Sequence, residues 1–224
     1  MSREAIRVGI LEDQPLFRDM LSATLREAPD IVVVEAVGTV AEATRAFITP
    51  QVPTIDLALL DIEVPDGNGI SFGVRLRRTH PASKVVLLSA HNMMDLLIDL
   101  PGDVGDGWSY LSKTSSTSAS TLVHAVSSTA RGRPVLDPAL VDASRPRPGT
   151  AVASLTDRQY QVLRLLAVGL SNPGIGERLG ITEKSVQNHI NSIYGTLGIE
   201  PDPALNPRVR AALALLQDSG PLDQ

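Results

Sequence analysis

Four apolar runs in the first 113 residues each end at, or just before, a polar residue. That repetition constrains the fold more than any other feature of the chain. The run Ile6–Leu11 closes on Glu12 and Asp13, DLALLD on Asp61 and KVVLLS on Ser89; Trp108–Leu111 contains Tyr110 and precedes Lys113. Each run is short enough to be a buried strand, and helix-period stretches separate them. Leu16, Met20, Leu21 and Leu25 outline a helix over 15–28. Val40, Ala43, Thr44, Phe47 and Ile48 outline a second, 69–79 a third ending before Pro81, and Ser118–Thr129 a fifth. With the β-branched run Ile31–Val37, the order predicts an α/β fold, a doubly wound five-stranded parallel sheet with right-handed crossovers. The stretch 99–107 (DLPGDVGDG) fits no period. In an open parallel sheet the carboxyl ends of the strands share one edge, where ligands bind. Glu12, Asp13, Asp61, Ser89 and Lys113 are thereby gathered into one acidic pocket competent for Mg²⁺, which prefers oxygen ligands.

At 224 residues the chain has room for two small domains, and 43% apolar against 20% charged residues is ordinary for a globular protein. Zero cysteines exclude a disulfide scaffold and a cysteine zinc site, and they fit a reducing, cytoplasmic setting. The apolar run at the N-terminus is too short for a signal peptide, and no stretch reaches the roughly 18 apolar residues of a membrane span. The net charge of −5 is unevenly spread. Residues 1–120 hold 16 acidic and 10 basic residues, whereas 155–216 comes to +1, which is lean for a nucleic-acid binder.

Pro134, Pro138, Pro146 and Pro148 fall within 131–153, and ASRPRPGT has the composition of a semi-rigid linker. The low-complexity segment 114–120 (TSSTSAS) reads as a loop and helix cap. Beyond the linker the pattern is helical. Thr156 and Gln159 form a capping box that opens a helix ended by Gly169. Ser171 caps a short helix through Leu179, Gly180 makes the turn, and Thr182 caps a longer helix to about Leu197. A short helix, a glycine turn and a longer helix make a helix-turn-helix. A fourth helix runs from about Pro207 to Gln217, serving either as a dimer contact or as plain core. The domains expected are therefore 1–130, a linker 131–153, and a small all-α domain 154–224.

A carboxylate that accepts a phosphoryl group attacks an anionic donor, so a divalent cation must neutralise charge beside it. Asp61 suits the nucleophile, Asp13 and Asp61 direct metal ligation, Glu12 ligation through water, and the Glu63 carbonyl completion of the shell. Lys113 supplies a fixed positive charge and Ser89 a mobile hydroxyl for phosphoryl oxygens. Over residues 6–130 the sequence resembles the receiver domain of two-component response regulators, with the flavodoxin-like fold that implies. LLDIEVPDGNGI resembles the phosphoacceptor motif, with Asp61 as acceptor, Gly69 as its closing glycine and Val64 replacing a common methionine. Tyr110 matches the switch aromatic of such domains, and is otherwise a half-buried strand residue. Glu63 and His91 occupy positions that influence phosphoryl lifetime in receivers, and are otherwise a solvated glutamate and a loop histidine.

Residues 155–198 resemble the LuxR-type helix-turn-helix of the NarL/FixJ subfamily, matching at Thr156, Arg158, Val162, Leu163, Gly169, Ser171, Asn172, Ile175, Leu179, Val186, His189, Ile193, Leu197 and Gly198. By that resemblance Gln187, Asn188 and Asn191 read bases, and their amides suit adenine. Lys184 and the Ser171-Asn172 cap lie near phosphates, and Thr182, which caps the reading helix, belongs to the same DNA-binding set. His189 reads as inward packing. Gly174 and Gly176 each cost the support helix about 1 kcal/mol relative to alanine. The resemblance implies a cytoplasmic, non-enzymatic response regulator, phosphorylated on Asp61 by a sensor histidine kinase with Mg²⁺, dimerising and binding promoter DNA. The alternatives are a phospho-gated protein-interaction module that keeps the helix-turn-helix as scaffold, and DNA binding independent of phosphorylation.

Overall fold

In the computed structural model the described residues are 5–49, 54–90, 107–200 and 206–220. They fall into two compact units, divided after Gly132. The first unit holds strands β1 (Ile6–Leu11), β2 (Ile31–Val37), β3 (Leu57–Asp61), β4 (Lys84–Ser89) and β5 (Trp108–Ser112), all parallel, in the order β2-β1-β3-β4-β5. Its helices are α1 (Pro15–Arg26), α2 (Val40–Ala43), α3 (Gly69–Thr79) and α4 (Ala119–Ala130). The expected strand at 56–61 begins one residue later, and the expected stretch 99–107 lies outside the described residues except for Gly107. The central strands are buried on both faces, which is why β3 and β4 are nearly unbroken apolar runs.

Helix α2 does not continue as a regular helix over Phe47 and Ile48. It widens into a π-helical turn, Thr44–Ile48, that keeps Phe47 in the core. A Cβ on Gly9 would stand 2.7 Å from the Phe47 ring, so a glycine in β1 is what lets that ring pack down. The segment 114–120 is more ordered than a loop. Lys113–Ser116 make a helical turn capped by Ser112, and Ser118 caps α4.

The second unit contains α5 (Pro138–Ala143), α6 (Asp157–Ala167), α7 (Asn172–Leu179), α8 (Glu183–Thr196) and α9 (Pro207–Gln217). The capping box at Thr156 and Gln159 is formed, Ser171 and Thr182 cap their helices, and Gly180 turns in the left-handed region. Helix α9 buries Val209, Ala211, Ala212, Leu215 and Leu216 and packs on α6, so its apolar face is core.

The linker expected at 131–153 is corrected from Arg133 onward, which belongs to the second unit. Val135, Leu136, Val141 and Val152 are buried, and Leu136 N–H donates to the Ala167 carbonyl at 2.8 Å. Asp137 caps α5, and Pro138 takes the first helical position, where a proline has no amide bond to lose. Arg145–Pro146 pair antiparallel with Ser219–Gly220. Proline here punctuates a packed segment.

Candidate functional site

The strand order reverses direction between β1 and β3, and the crevice past their carboxyl ends is where this topology places ligands. Glu12 and Asp13 leave β1 there, and Asp61 is the last residue of β3. One oxygen from each of these three carboxyl groups lies within 4.8 Å of the others. Glu12 and Asp61 are buried, at 0% and 2% exposure, and Asp13 is half-buried. Lys113, just after β5, bridges the pair: its Nζ donates to Glu12 Oε1 and to Asp61 Oδ2, both at 2.8 Å. The centroid of the Phe17 ring lies 5.1 Å from the same ammonium, which sits over its face.

The remaining oxygens are handled unequally. Asp61 Oδ1 accepts the Glu63 N–H at 3.2 Å, and Glu12 Oε1 also accepts the Gln14 N–H at 3.1 Å. Glu12 Oε2 is buried with no hydrogen-bond partner. A buried carboxylate oxygen left so is costly, and it fits a cation or a cation-bound water. Burial pushes the Glu12 and Asp61 carboxyl groups above the usual carboxylate range, against the pull of Lys113. Burial by itself would lower the Lys113 pKa, but its bonds to Asp61 and Glu12 together outweigh that and raise it.

Ser89 is buried at the end of β4, one position beyond the Leu88 that aligns with Asp61. Tyr110 lies in β5 and is fully buried rather than half-buried. The Glu63 side chain is exposed and stands outside the three-carboxylate group. His91 lies outside the described residues. Composition gave no signal for the tightness of the acceptor loop. A Cβ on Gly69 would sit 2.0 Å from the Asp61 carbonyl oxygen, so α3 starts directly against the backbone of the acceptor. The Asp66 carboxylate reaches across to accept the Val40 and Ala41 N–H groups at 2.8 and 3.0 Å. Those bonds hold its pKa low and tie the acceptor loop to the start of α2.

In the second unit the cap Thr182 and, on α8, Lys184, Gln187, Asn188 and Asn191 are exposed, while Val186, Ile190 and Ile193 face inward. His189 is half-buried. Ser171 and Asn172, also half-buried, begin α7 beside them, and Asn172 Nδ2 donates to Gln187 Oε1 at 2.8 Å. Sequence reasoning missed Arg208. It is half-buried on α9, and its guanidinium donates to the Leu170 carbonyl and to Asn172 Oδ1. Burial lowers its pKa, with nearby Tyr194 pulling the other way.

The family described as "Response regulator receiver domain" matches residues 8–127, and the one described as "Bacterial regulatory proteins, luxR family" matches 153–205. The chain is a response regulator of the LuxR-type, NarL/FixJ group. Its relatives run the length of the chain. This response regulator is 30% identical over 203 residues to the DNA-binding transcriptional activator DevR/DosR of Mycobacterium tuberculosis, covering 87% of this chain and 89% of that one. It is 28% identical over 224 residues to the nitrate/nitrite response regulator protein NarL of Escherichia coli K12, covering 97% and 98%. Its first unit is similar in structure to the signal receiver domain of Mycobacterium tuberculosis NarL, with TM-score 0.50, 29% identity, and coverage of 58% of this chain and 99% of that one. The response regulator RcsB of Salmonella typhimurium shares the fold at 18% identity and TM-score 0.50, over 96% and 97% of the two chains. No helix among the described residues is long and apolar enough to cross a membrane.

Proposed function

We propose that this response regulator binds promoter DNA in the cytoplasm, under control of phosphorylation at Asp61 by a sensor histidine kinase, and that it acts as a regulator without catalytic turnover of its own. The observation that carries the reading is the buried Glu12–Lys113–Asp61 bridge, with Glu12 Oε2 unpartnered inside it. Asp61 is the acceptor: one carboxylate oxygen bonds to phosphorus as the bond from phosphorus to the kinase imidazole breaks. Its raised pKa marks a carboxylate poorly solvated by water and correspondingly nucleophilic.

The hard oxygen set fits Mg²⁺, which Glu12, Asp13, Asp61 and the Glu63 carbonyl would hold. A bound Mg²⁺ supplies charge that neutralises the phosphoryl oxygens. Lys113 then exchanges a carboxylate partner for a phosphoryl oxygen, and Ser89 donates its hydroxyl to another. Tyr110 follows the vacated serine position as the switch. In the second unit Gln187, Asn188 and Asn191 read bases, while Lys184, Thr182, Ser171 and Asn172 lie against phosphates. The DNA-binding activity named for DevR/DosR supports DNA as the partner of this unit. Two copies on adjacent half-sites compensate for sparse basic contacts.

A second reading has one observation in its favour: Glu183–Thr196 carries a single lysine and no arginine. On that reading the switch acts on a protein and α8 is scaffold. Selection from a random DNA pool with magnesium, with and without beryllofluoride, separates the readings. Enrichment of a two-half-site sequence that needs beryllofluoride, and is lost in Asp61→Asn, is the expected result. Enrichment indifferent to beryllofluoride means DNA binding independent of phosphorylation, and no enrichment moves the function to a protein partner.

A further inference from the structure

We infer that Arg208 sets the polarity of the reading face: through Asn172 it orients the amides of Gln187 and Asn191 so that they present N–H donors, which select guanine edges over adenine. The inference rests on the DNA-binding reading above and names what that face recognises.

The argument begins with an asymmetry between cations and amides. A guanidinium carries five N–H donors and no acceptor, whereas a side-chain amide has one end of each kind. Arg208 is anchored by the Leu170 carbonyl at 3.0 Å, and its other terminal nitrogen donates to Asn172 Oδ1. Asn172 must therefore turn its oxygen toward Arg208 and its nitrogen away. That nitrogen donates to Gln187 Oε1 at 2.8 Å, which fixes the Gln187 amide in the same sense. Gln187 Nε2 in turn donates to Asn191 Oδ1 at 2.8 Å, one helical turn further along α8. Each oxygen in the relay points back toward the arginine, and each nitrogen points forward.

Gln187 and Asn191 are exposed, so the N–H groups left after the relay are what they offer a groove. Bidentate reading of adenine needs one amide to accept from N6 and donate to N7, but the relay already engages both ends of Gln187. Guanine offers N7 and O6 as paired acceptors, and a donor face meets both. Arg208 is a positioning residue in this scheme, because it acts on the bases through Asn172 and Gln187.

The test is selection from a random DNA pool by the full-length protein with magnesium and beryllofluoride, comparing wild type with Asn172→Asp, Arg208→Met and Arg208→Lys. An aspartate still accepts from Arg208 but has no N–H for Gln187. Gln187 then turns its nitrogen toward it and its Oε1 toward Asn191, which turns in its turn to donate and leaves an acceptor, Asn191 Oδ1, on the exposed face. Wild type is expected to enrich guanine at read positions. Asn172→Asp should shift one of them toward adenine or cytosine, changing relative preference about tenfold. Arg208→Met should lose the guanine preference without gaining another, and Arg208→Lys should retain it in part. An unchanged consensus in Asn172→Asp and Arg208→Met, with melting temperatures near wild type, makes both residues structural only and overturns the inference. If Asn172→Asp binds no DNA, Arg208→Met alone decides. Adenine at the read positions of wild type also overturns it, leaving DNA binding intact, whereas no enrichment by wild type removes the DNA-binding reading itself.

Discussion

Asp61→Asn tests whether the acidic pocket is a source of stability or a strain relieved by cation binding. At an effective dielectric of about 20, the Lys113–Asp61 contact at 2.8 Å is worth about 6 kcal/mol. Removing the Asp61 charge forfeits it. The same change relieves repulsion from Glu12 and Asp13, each within 4.8 Å, and each costing about 3.5 kcal/mol or more on that scale. The two sums nearly cancel, so desolvation decides the sign, and it favours the neutral amide. The Asn oxygen can still accept the Glu63 N–H. The variant should therefore be about 1–2 kcal/mol more stable than wild type without metal.

Trp108 is the chain's one tryptophan and is buried in β5 of the receiver unit, so its fluorescence in urea reports that unit's unfolding. The pH dependence follows from the raised carboxyl pKa values of Asp61 and Glu12. A carboxyl group whose folded pKa is raised contributes stability that is present below its unfolded pKa and lost as pH rises through the folded value. The wild type should thus lose ground against the variant as pH increases from about 4 to 7, the window above the reference carboxyl pKa values. Magnesium at ten times its dissociation constant should return about 1.4 kcal/mol to the wild type and little to the variant. A variant less stable than wild type by more than about 1 kcal/mol in chelator at pH 7 would refute the reasoning, since the Lys113 bridge would then outweigh burial and repulsion.

Gly69→Ala places a Cβ 2.0 Å from the Asp61 carbonyl oxygen and must displace the acceptor loop; a loss on the order of 2–3 kcal/mol in the same urea assay is expected, with slowed phosphorylation. Lys184→Ala should flatten the plot of log affinity against log salt by about 0.9, and an unchanged slope removes Lys184 from the phosphate contacts. The two glycines of α7 should behave oppositely in thermal melts followed by circular dichroism. Gly174→Ala meets nothing nearer than Ser171 Oγ at 3.4 Å and should gain about 1 kcal/mol. Gly176→Ala meets the Ile181 carbonyl oxygen at 2.7 Å and should lose about 1–3 kcal/mol.

Those glycines show where sequence reading stops. Helix propensity treats Gly174 and Gly176 alike, yet Gly176 packs against the turn after α7, whose Ile181 N–H donates to its carbonyl at 3.0 Å. Period and burial were legible because strand ends and helix faces are local patterns. Hence β1–β5, the capping box at Thr156 and the gathering of Glu12, Asp61 and Lys113 could be read directly. Residues 133–153 were misread because four prolines outweighed a better signal, the capped apolar segment Val135 to Val141 with Asp137 before Pro138.

Charge counting failed for a related reason. The sum over 155–216 treats every arginine as available to phosphate. In the fold, Arg158 binds the Leu179 carbonyl and Arg164 binds Asp142. Arg208 binds Leu170 and Asn172, and Arg210 binds the Glu200 carbonyl. Arg133, Arg145 and Arg147 likewise donate to carbonyls within the unit. A carbonyl partner leaves each guanidinium its charge but fixes where it points, so the cations free to reach a phosphate backbone are fewer than composition implies, and the reading helices themselves contribute the exposed Lys184 and Arg178. Because phosphate contacts supply most non-specific affinity, one copy should discriminate bases through its amides while holding DNA weakly. Such a binder is sensitive to pairing. Joining two weak half-site contacts multiplies affinity without new basic residues, so a phosphorylation-driven dimer would control occupancy more steeply here than in a strongly basic relative.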